Sequence, residues 1–254
     1  MHLKSEDLSR IEILFESGMV PPPYSHIFKL KISFGKFFLD TNLDLTYTDR
    51  EELSEEEILD EGFTLDDDFH FQGEIPIVWE KPLKELYARS KWSNNKLDDE
   101  GGISILAKDR HGQIVRTVPL NQQEWQNFSQ DYIQAIYEIS KKEAPLQLNY
   151  LIRENQKQTE INLTVKFSLR KVEVSVNGKL NEADWEETKQ LLSYVFLPDY
   201  DYGKAKEKTP QHVGQFIDCG DGYWHEIGKG VINIDNSFDA VSKMKEGFEH
   251  LAYH

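Results

Sequence analysis

Cys219 and His225 are where a nucleophile–base reading would start, with Asp218 or Asp221 to orient the imidazole. That chemistry needs the thiolate within hydrogen-bond reach of the ring. The local pattern argues against the contact. Asp221-Gly222 is a type I′ turn signal between two strand-like arms. A two-residue turn there pairs Gly220 with Tyr223, Cys219 with Trp224 and Asp218 with His225. Opposite residues share a face and successive residues alternate, so this register puts Cys219 and His225 on different faces. Cys219 then reads as a small buried residue beside Trp224. Cys219, His225 and Asp221 are the candidate catalytic residues, and the preferred reading leaves them without a joint role.

Asp66-Asp67-Asp68-Phe69-His70 offers carboxylates to a hard cation. The spacing is not that of an EF-hand loop and no second acidic motif partners it, so no metal is expected. No cofactor is expected either. The eight histidines form no HExxH pair, and P-loop, GxGxxG, GxSxG and kinase patterns are absent. Asn127-Phe128-Ser129 and Asn162-Leu163-Thr164 match the glycosylation acceptor pattern, but each lies inside a predicted helix or strand. Pro21-Pro22-Pro23-Tyr24 matches a WW-domain ligand, which docks as an extended helix. The plainer reading is a stiff entry into the strand at Ile27, with Tyr24 packed against the sheet.

The charge is strongly polarised. Asp and Glu number 45 against 29 Lys and Arg, a net charge of −16. Residues 49–68 alone hold eleven acids and one base, Arg50. Such a field disfavours nonspecific binding to nucleic acid or to an anionic membrane, and suits a basic protein partner. Glu55, Glu56, Asp60, Asp66, Asp67 and Asp68 are the candidate binding residues. The plainer alternative is a solvated helix face. No apolar run approaches a membrane span, the N-terminus lacks a signal-peptide stretch, and one cysteine forbids an intrachain disulfide. Together these lead to the expectation of a cytoplasmic protein.

The elements that would position these residues read as β-hairpins, each followed by a helix. Ile27–Tyr47 alternates around Gly35-Lys36, and a II′ turn there pairs Phe34 with Phe37 and Phe28 with Leu43. Thr48 and Ser54 each precede a Glu by three residues, so each could open a capping box, with Gly62 as a stop. A shorter helix covers Pro82–Lys91. Ile103–Ala107 and Ile114–Val118 form a second hairpin, followed by a helix from Asn121 with Trp125, Phe128, Tyr132, Ile136 and Ile139 on one face. Three strands follow between Leu146 and Val176, then a helix from Asn181 to about Phe196. A last hairpin, Val213–Ile234, leads to a helix from Asn236. The junctions Leu120-Asn121-Gln122-Gln123-Glu124-Trp125 and Leu180-Asn181-Glu182-Ala183-Asp184-Trp185 look alike. Convergence on good capping chemistry is the preferred explanation over duplication.

The predicted fold is therefore α+β, a repeated ββα rhythm with each helix on one sheet face. Two subdomains are expected, 1–97 and 98–254, divided by the polar stretch around Asn94–Gly102. The leading functional expectation is a non-catalytic binding or regulatory module that turns its acidic surface toward a basic protein. An enzyme such as a hydrolase, with carboxylates and His70 or His225 in a cleft between the subdomains, is the alternative. A structural component that assembles through aromatic-rich edges is a third.

Overall fold

The computed structural model describes residues 2–93 and 95–253. The chain is mixed α+β, with antiparallel sheets and five α-helices among the described residues, and it divides into two units, Met1–Glu143 and Ala144–His254.

The first unit is laid down as β1 (Leu8–Glu16), β2 (His26–Phe34), β3 (Phe38–Tyr47), α1 (Glu55–Asp60), β4 (Phe69–Pro76), α2 (Glu80–Arg89), β5 (Trp92–Ser93), β6 (Gly102–Asp109), β7 (Ile114–Pro119) and α3 (Gln122–Ile139). Its seven strands stand in the order β4-β3-β2-β1-β6-β7-β5, every pair antiparallel. Strand alternation sends Ile11, Ile13, Leu30, Ile32, Leu39, Leu43, Ile103 and Ile105 to one face, all fully buried. Trp79, Leu83, Leu86, Trp125, Tyr132 and Ile136, at the entry to α2 or on α2 and α3, complete the core. Two buried polar groups from the helix side find partners. Tyr132 hydroxyl and Thr41 Oγ1 lie 2.7 Å apart, and Trp125 Nε1 donates to Ser90 Oγ at 2.9 Å. That satisfies groups whose burial would otherwise be costly. The other sheet face is polar, with Glu12 held by Arg10 at 3.1 Å and Lys29 at 3.7 Å.

The second unit comprises β8 (Leu146–Arg153), β9 (Gln158–Lys166), β10 (Lys171–Val176), β11 (Lys179–Ala183), α4 (Trp185–Val195), β12 (Asp199–Tyr200), β13 (Gly214–Asp218), β14 (His225–Glu226), β15 (Val231–Ile232) and α5 (Ala240–Tyr253). The main sheet runs β11-β10-β9-β8-β13-β14, and β12 pairs with β15 separately. Tyr150 stacks on Phe248 of α5 at 4.3 Å and 8°, and Leu191 and Leu192 of α4 are buried.

The two units share one topology. Apart from α1, which interrupts the first meander between β3 and β4, and the short strands β5, β12 and β15, each is a four-stranded meander, then a helix, then a strand that returns to pair with the free side of the first strand, then that strand's hairpin partner, then a closing helix. Equivalent details recur. Trp79-Glu80 and Trp185-Glu186 stand at the entry to α2 and α4, with both tryptophans buried. Asp109 and Asp218 stand at the ends of the two return strands, both buried, and each carboxylate closes the turn that follows. Asp109 Oδ1 accepts from the His111 and Gln113 N–H groups, and Asp218 Oδ1 from those of Gly220 and Gly222. The look-alike Leu-Asn junctions are not part of this repeat. Residues 120–125 lead into the closing helix of one unit, and 180–185 into the first helix of the other.

Several expectations are corrected here. The ββα rhythm does not hold: strands dominate, helices are few, and α2 and α4 each follow a run of four strands instead of a hairpin. The division expected near residue 98 falls inside the first unit, between β5 and β6. Strand β1, which the hairpin reading left out, pairs with β2 on one side and β6 on the other. The first hairpin pairs Phe34 with Leu39 and Phe28 with Leu45 around a longer loop, not around a two-residue turn. That shift is two residues, so the apolar sets keep their shared face. Thr48 opens no helix, because its N–H donates to Ser25 O; Ser54 and Glu57 form the capping box. Asn181 lies in β11 opposite Val174, and Asp184 caps α4 through the N–H groups of Glu186 and Glu187.

Candidate functional site

Two sets of residues carry the candidate chemistry, one in each unit. In the first, the acidic segment is organised around its one base. The Arg50 guanidinium donates to Asp67 Oδ2 at 2.8 Å and to Thr64 O and Pro23 O at 3.1 Å. It lies over the rings of Tyr47 and Phe63, at 3.9 and 4.7 Å from their centroids. Planar guanidinium suits this combination of face stacking and in-plane donation. Thr64 donates to Asp67 through both its N–H and its hydroxyl. Burial pushes the Asp67 carboxyl up, but hydrogen bonds from Thr64 and Arg50 outweigh it and hold the group below the usual carboxylate range. Asp68 accepts the Tyr47 N–H at 2.8 Å. Glu57 is tied into the capping box, and Tyr24 donates its hydroxyl to Glu61.

These bonds divide the six candidate binding residues. Asp67 and Asp68 hold the segment in place. Glu55, Glu56, Asp60 and Asp66 are exposed, and their carboxylates make no hydrogen bond or ion pair among the described residues; Asp49, Glu51 and Glu52 behave in the same way. Two large apolar side chains on this stretch also face solvent, Leu59 at 54% and Leu65 at 58% exposure. The Pro21–Tyr24 stretch is an internal brace. Its backbone turns, with Tyr24 and Ser25 N–H donating to Pro21 O, and Tyr24 meets Phe63 edge-on at 5.2 Å.

In the second unit, a register shift regroups the residues that the sequence pattern kept apart. β13 and β14 pair Ile217 with His225, one place from the predicted Asp218 pairing. A single-residue slip exchanges faces, and His225 falls in line with Ile217 and hence with Cys219. Trp224 pairs with Lys206 and not with Cys219. His225 is 1% exposed, and neither ring nitrogen has a hydrogen-bond partner among the described residues. Tyr200 and Tyr202 meet the imidazole edge-on, at 5.1 and 4.9 Å. The Tyr200 hydroxyl lies within hydrogen-bond reach of the Cys219 thiol and donates to Val195 O at 2.7 Å. Tyr202 donates to Asp221 Oδ2 at 2.7 Å. Cys219, His225 and Asp221 thus share one tyrosine-lined cluster.

The electrostatics of the cluster do not make a nucleophile. Burial pushes the Cys219 thiol up to about 11, with the Asp221 and Asp218 charges adding to it and Tyr200 opposing. At neutral pH the sulfur keeps its proton, and only the thiolate attacks. Burial raises the Asp221 carboxyl, but the Tyr223 N–H, the Tyr202 hydroxyl and His225 together bring it below its ordinary value. Asp221 is therefore a fixed negative charge at the rim of the cluster. His70, the other candidate histidine, sits on the open face of the first sheet with Nδ1 2.6 Å from Asp44 Oδ1, and both side chains are exposed.

Sequence reasoning missed Tyr200 and Tyr202, whose i, i+2 spacing flanks Asp201 but carries no recognisable motif. Among the described residues, no three His, Cys, Asp or Glu side chains are grouped so as to hold a metal ion, and no helix is long and apolar enough to cross a membrane. Comparison with known proteins finds no matching protein-family model, no matching curated protein and no matching solved structure.

Proposed function

We propose that this chain is a non-catalytic binding protein that presents its acidic segment, residues 49–68, to a basic protein partner, and that it acts in the cytoplasm. One observation carries the reading. Seven carboxylates of a braced segment, those of Asp49, Glu51, Glu52, Glu55, Glu56, Asp60 and Asp66, are left without internal partners among the described residues, beside the exposed Leu59 and Leu65. Carboxylates not engaged within the fold are available to a cationic partner. Apolar anchors within a charged rim are the usual anatomy of a protein–protein contact. The net charge of −16 opposes nucleic acid and anionic lipid as partners. The test is capture of basic proteins from native cytosol at low salt, eluted with a salt gradient. A specific basic protein should leave at moderate salt. Reversing Glu55, Glu56 and Asp60 to Lys should slow its association by about tenfold or more. Binding indifferent to salt would sink the reading.

The enzyme reading keeps one supporting observation, the convergence of Asp221 and Cys219 with a buried His225 whose ring nitrogens are unpartnered among the described residues. In it, Asp221 and His225 would act on a bound substrate, without the thiol as nucleophile. His225→Ala should then abolish turnover and leave capture of the basic protein intact. A turnover unaffected by that change would remove the enzyme reading.

A further inference from the structure

A cavity of about 330 Å³ lies between α3 and the paired ends of β1 and β2. The cross-strand pair Phe15 and Phe28 makes one wall, the rings stacked at 5.0 Å and 19°, with His26 against Phe15 at 5.1 Å. The opposite wall is α3. Gln126, Gln130 and Gln134 follow one another at intervals of four, so they share one helix face, and Tyr137 stands three residues beyond Gln134 on that face. No Asp, Glu, Lys or Arg side chain lines the cavity among the described residues. The amide groups of Gln126 and Gln130 have no hydrogen-bond partner there, whereas Gln134 donates to the Glu143 carboxylate and brings that charge close to the cavity.

A chain of ring contacts links the cavity lining to the acidic segment. His26 meets Tyr47 at 5.7 Å, and Tyr47 meets Phe63 at 5.5 Å. The far end of that strip already holds a guanidinium by its faces, that of Arg50. We propose that the cavity receives an arginine side chain from the basic partner. A guanidinium is planar, weakly hydrated and able to stack on aromatic faces while donating in its plane to amide oxygens and a carboxylate. A lysine ammonium gives up its hydration less readily and has no face to stack. An anionic group would meet no Lys or Arg side chain in the lining. An aliphatic side chain would bury the glutamine amides without a partner. The inference rests on the acidic-surface reading only for the charge of the partner.

The test uses the full chain labelled with ¹⁵N. N-acetyl-arginine amide, N-acetyl-lysine amide and N-acetyl-leucine amide are titrated separately while the side-chain NH₂ signals of Gln126 and Gln130 are followed. The arginine compound should give saturable shifts at both amides in the millimolar range, on the order of fivefold tighter than the lysine compound. Gln130→Lys, a change on an exposed helix position, should weaken it by about tenfold while leaving the other backbone signals in place. Saturable shifts should persist when Glu55, Glu56 and Asp60 are reversed. No saturable shift with the arginine compound, or equal shifts with all three, would overturn the proposal. If salt-sensitive capture of a basic protein survives that result, the cavity proposal fails alone. If the arginine compound binds but charge reversal leaves capture unchanged, the acidic-surface reading fails and the cavity stands.

Discussion

Arg50 is the single base among eleven acids, and its side chain is largely buried against two rings, two backbone carbonyls and a carboxylate. Replacing it with Ala should cost about 2–3 kcal/mol, measured by urea denaturation, because a hydrogen-bonded charge leaves and Asp67 loses its main cation. The pH dependence has a definite sign. Asp67 has its folded-state pKa below its ordinary value, so its contribution is complete above roughly pH 4 and is lost as pH falls through the folded value. The stability difference between the native chain and Arg50→Ala should therefore shrink below about pH 4; a difference that grows there would contradict the Asp67 assignment. Cys219 gives a second check at this scale. With the thiol pushed up to about 11, a thiol reagent at pH 7.5 should label the native chain on the order of a hundredfold more slowly than the denatured chain. Fast native labelling would return the thiol to the list of nucleophiles.

At the scale of elements, the return strand of each unit ends on a buried aspartate that binds two backbone N–H groups of the turn it closes. Replacing Asp109 or Asp218 by Ala leaves both donors without that acceptor. Each change should cost about 1–3 kcal/mol. Hydrogen exchange should quicken first at Arg110–Gln113 in one variant and at Cys219–Gly222 in the other. Exchange that rises evenly across a unit would mean that these carboxylates are not local turn closers. His225 tests the neighbouring element. Both its ring nitrogens are buried without a partner among the described residues, so His225→Phe should leave the melting temperature unchanged or raise it. A clear loss of stability would show that the imidazole nitrogens contribute to folding.

For the whole molecule, two sheets with separate cores predict separable folding. Chains cut between Glu143 and Ala144 should each unfold cooperatively, since each unit buries its own apolar set beneath its own helices. Circular dichroism on the two pieces checks this, and a piece that lacks a cooperative transition would refute it. The same cut made near residue 98 should yield no folded N-terminal piece, because it removes β6 from β1 along with the whole of α3.

The amino-acid pattern alone settled the mixed α+β class, the apolar face of α3 from Trp125 to Ile136, the Ser54–Glu57 capping box and the place where negative charge collects. These depend on neighbours within a few residues, where helical spacing, capping and composition act directly. What lay beyond it depended on partners far along the chain. β1 belongs at the centre of its sheet only because β2 and β6 close on it from either side. The Cys219–His225 grouping turned on one residue of register, which a strong local turn signal misplaced, and in a strand one residue is the difference between two faces. Asp67 and Asp66 are neighbours of identical type, yet one is bound by Arg50 and the other faces solvent. Only the folded chain, by bringing residue 50 against residue 67, decides which of them is free to meet a partner.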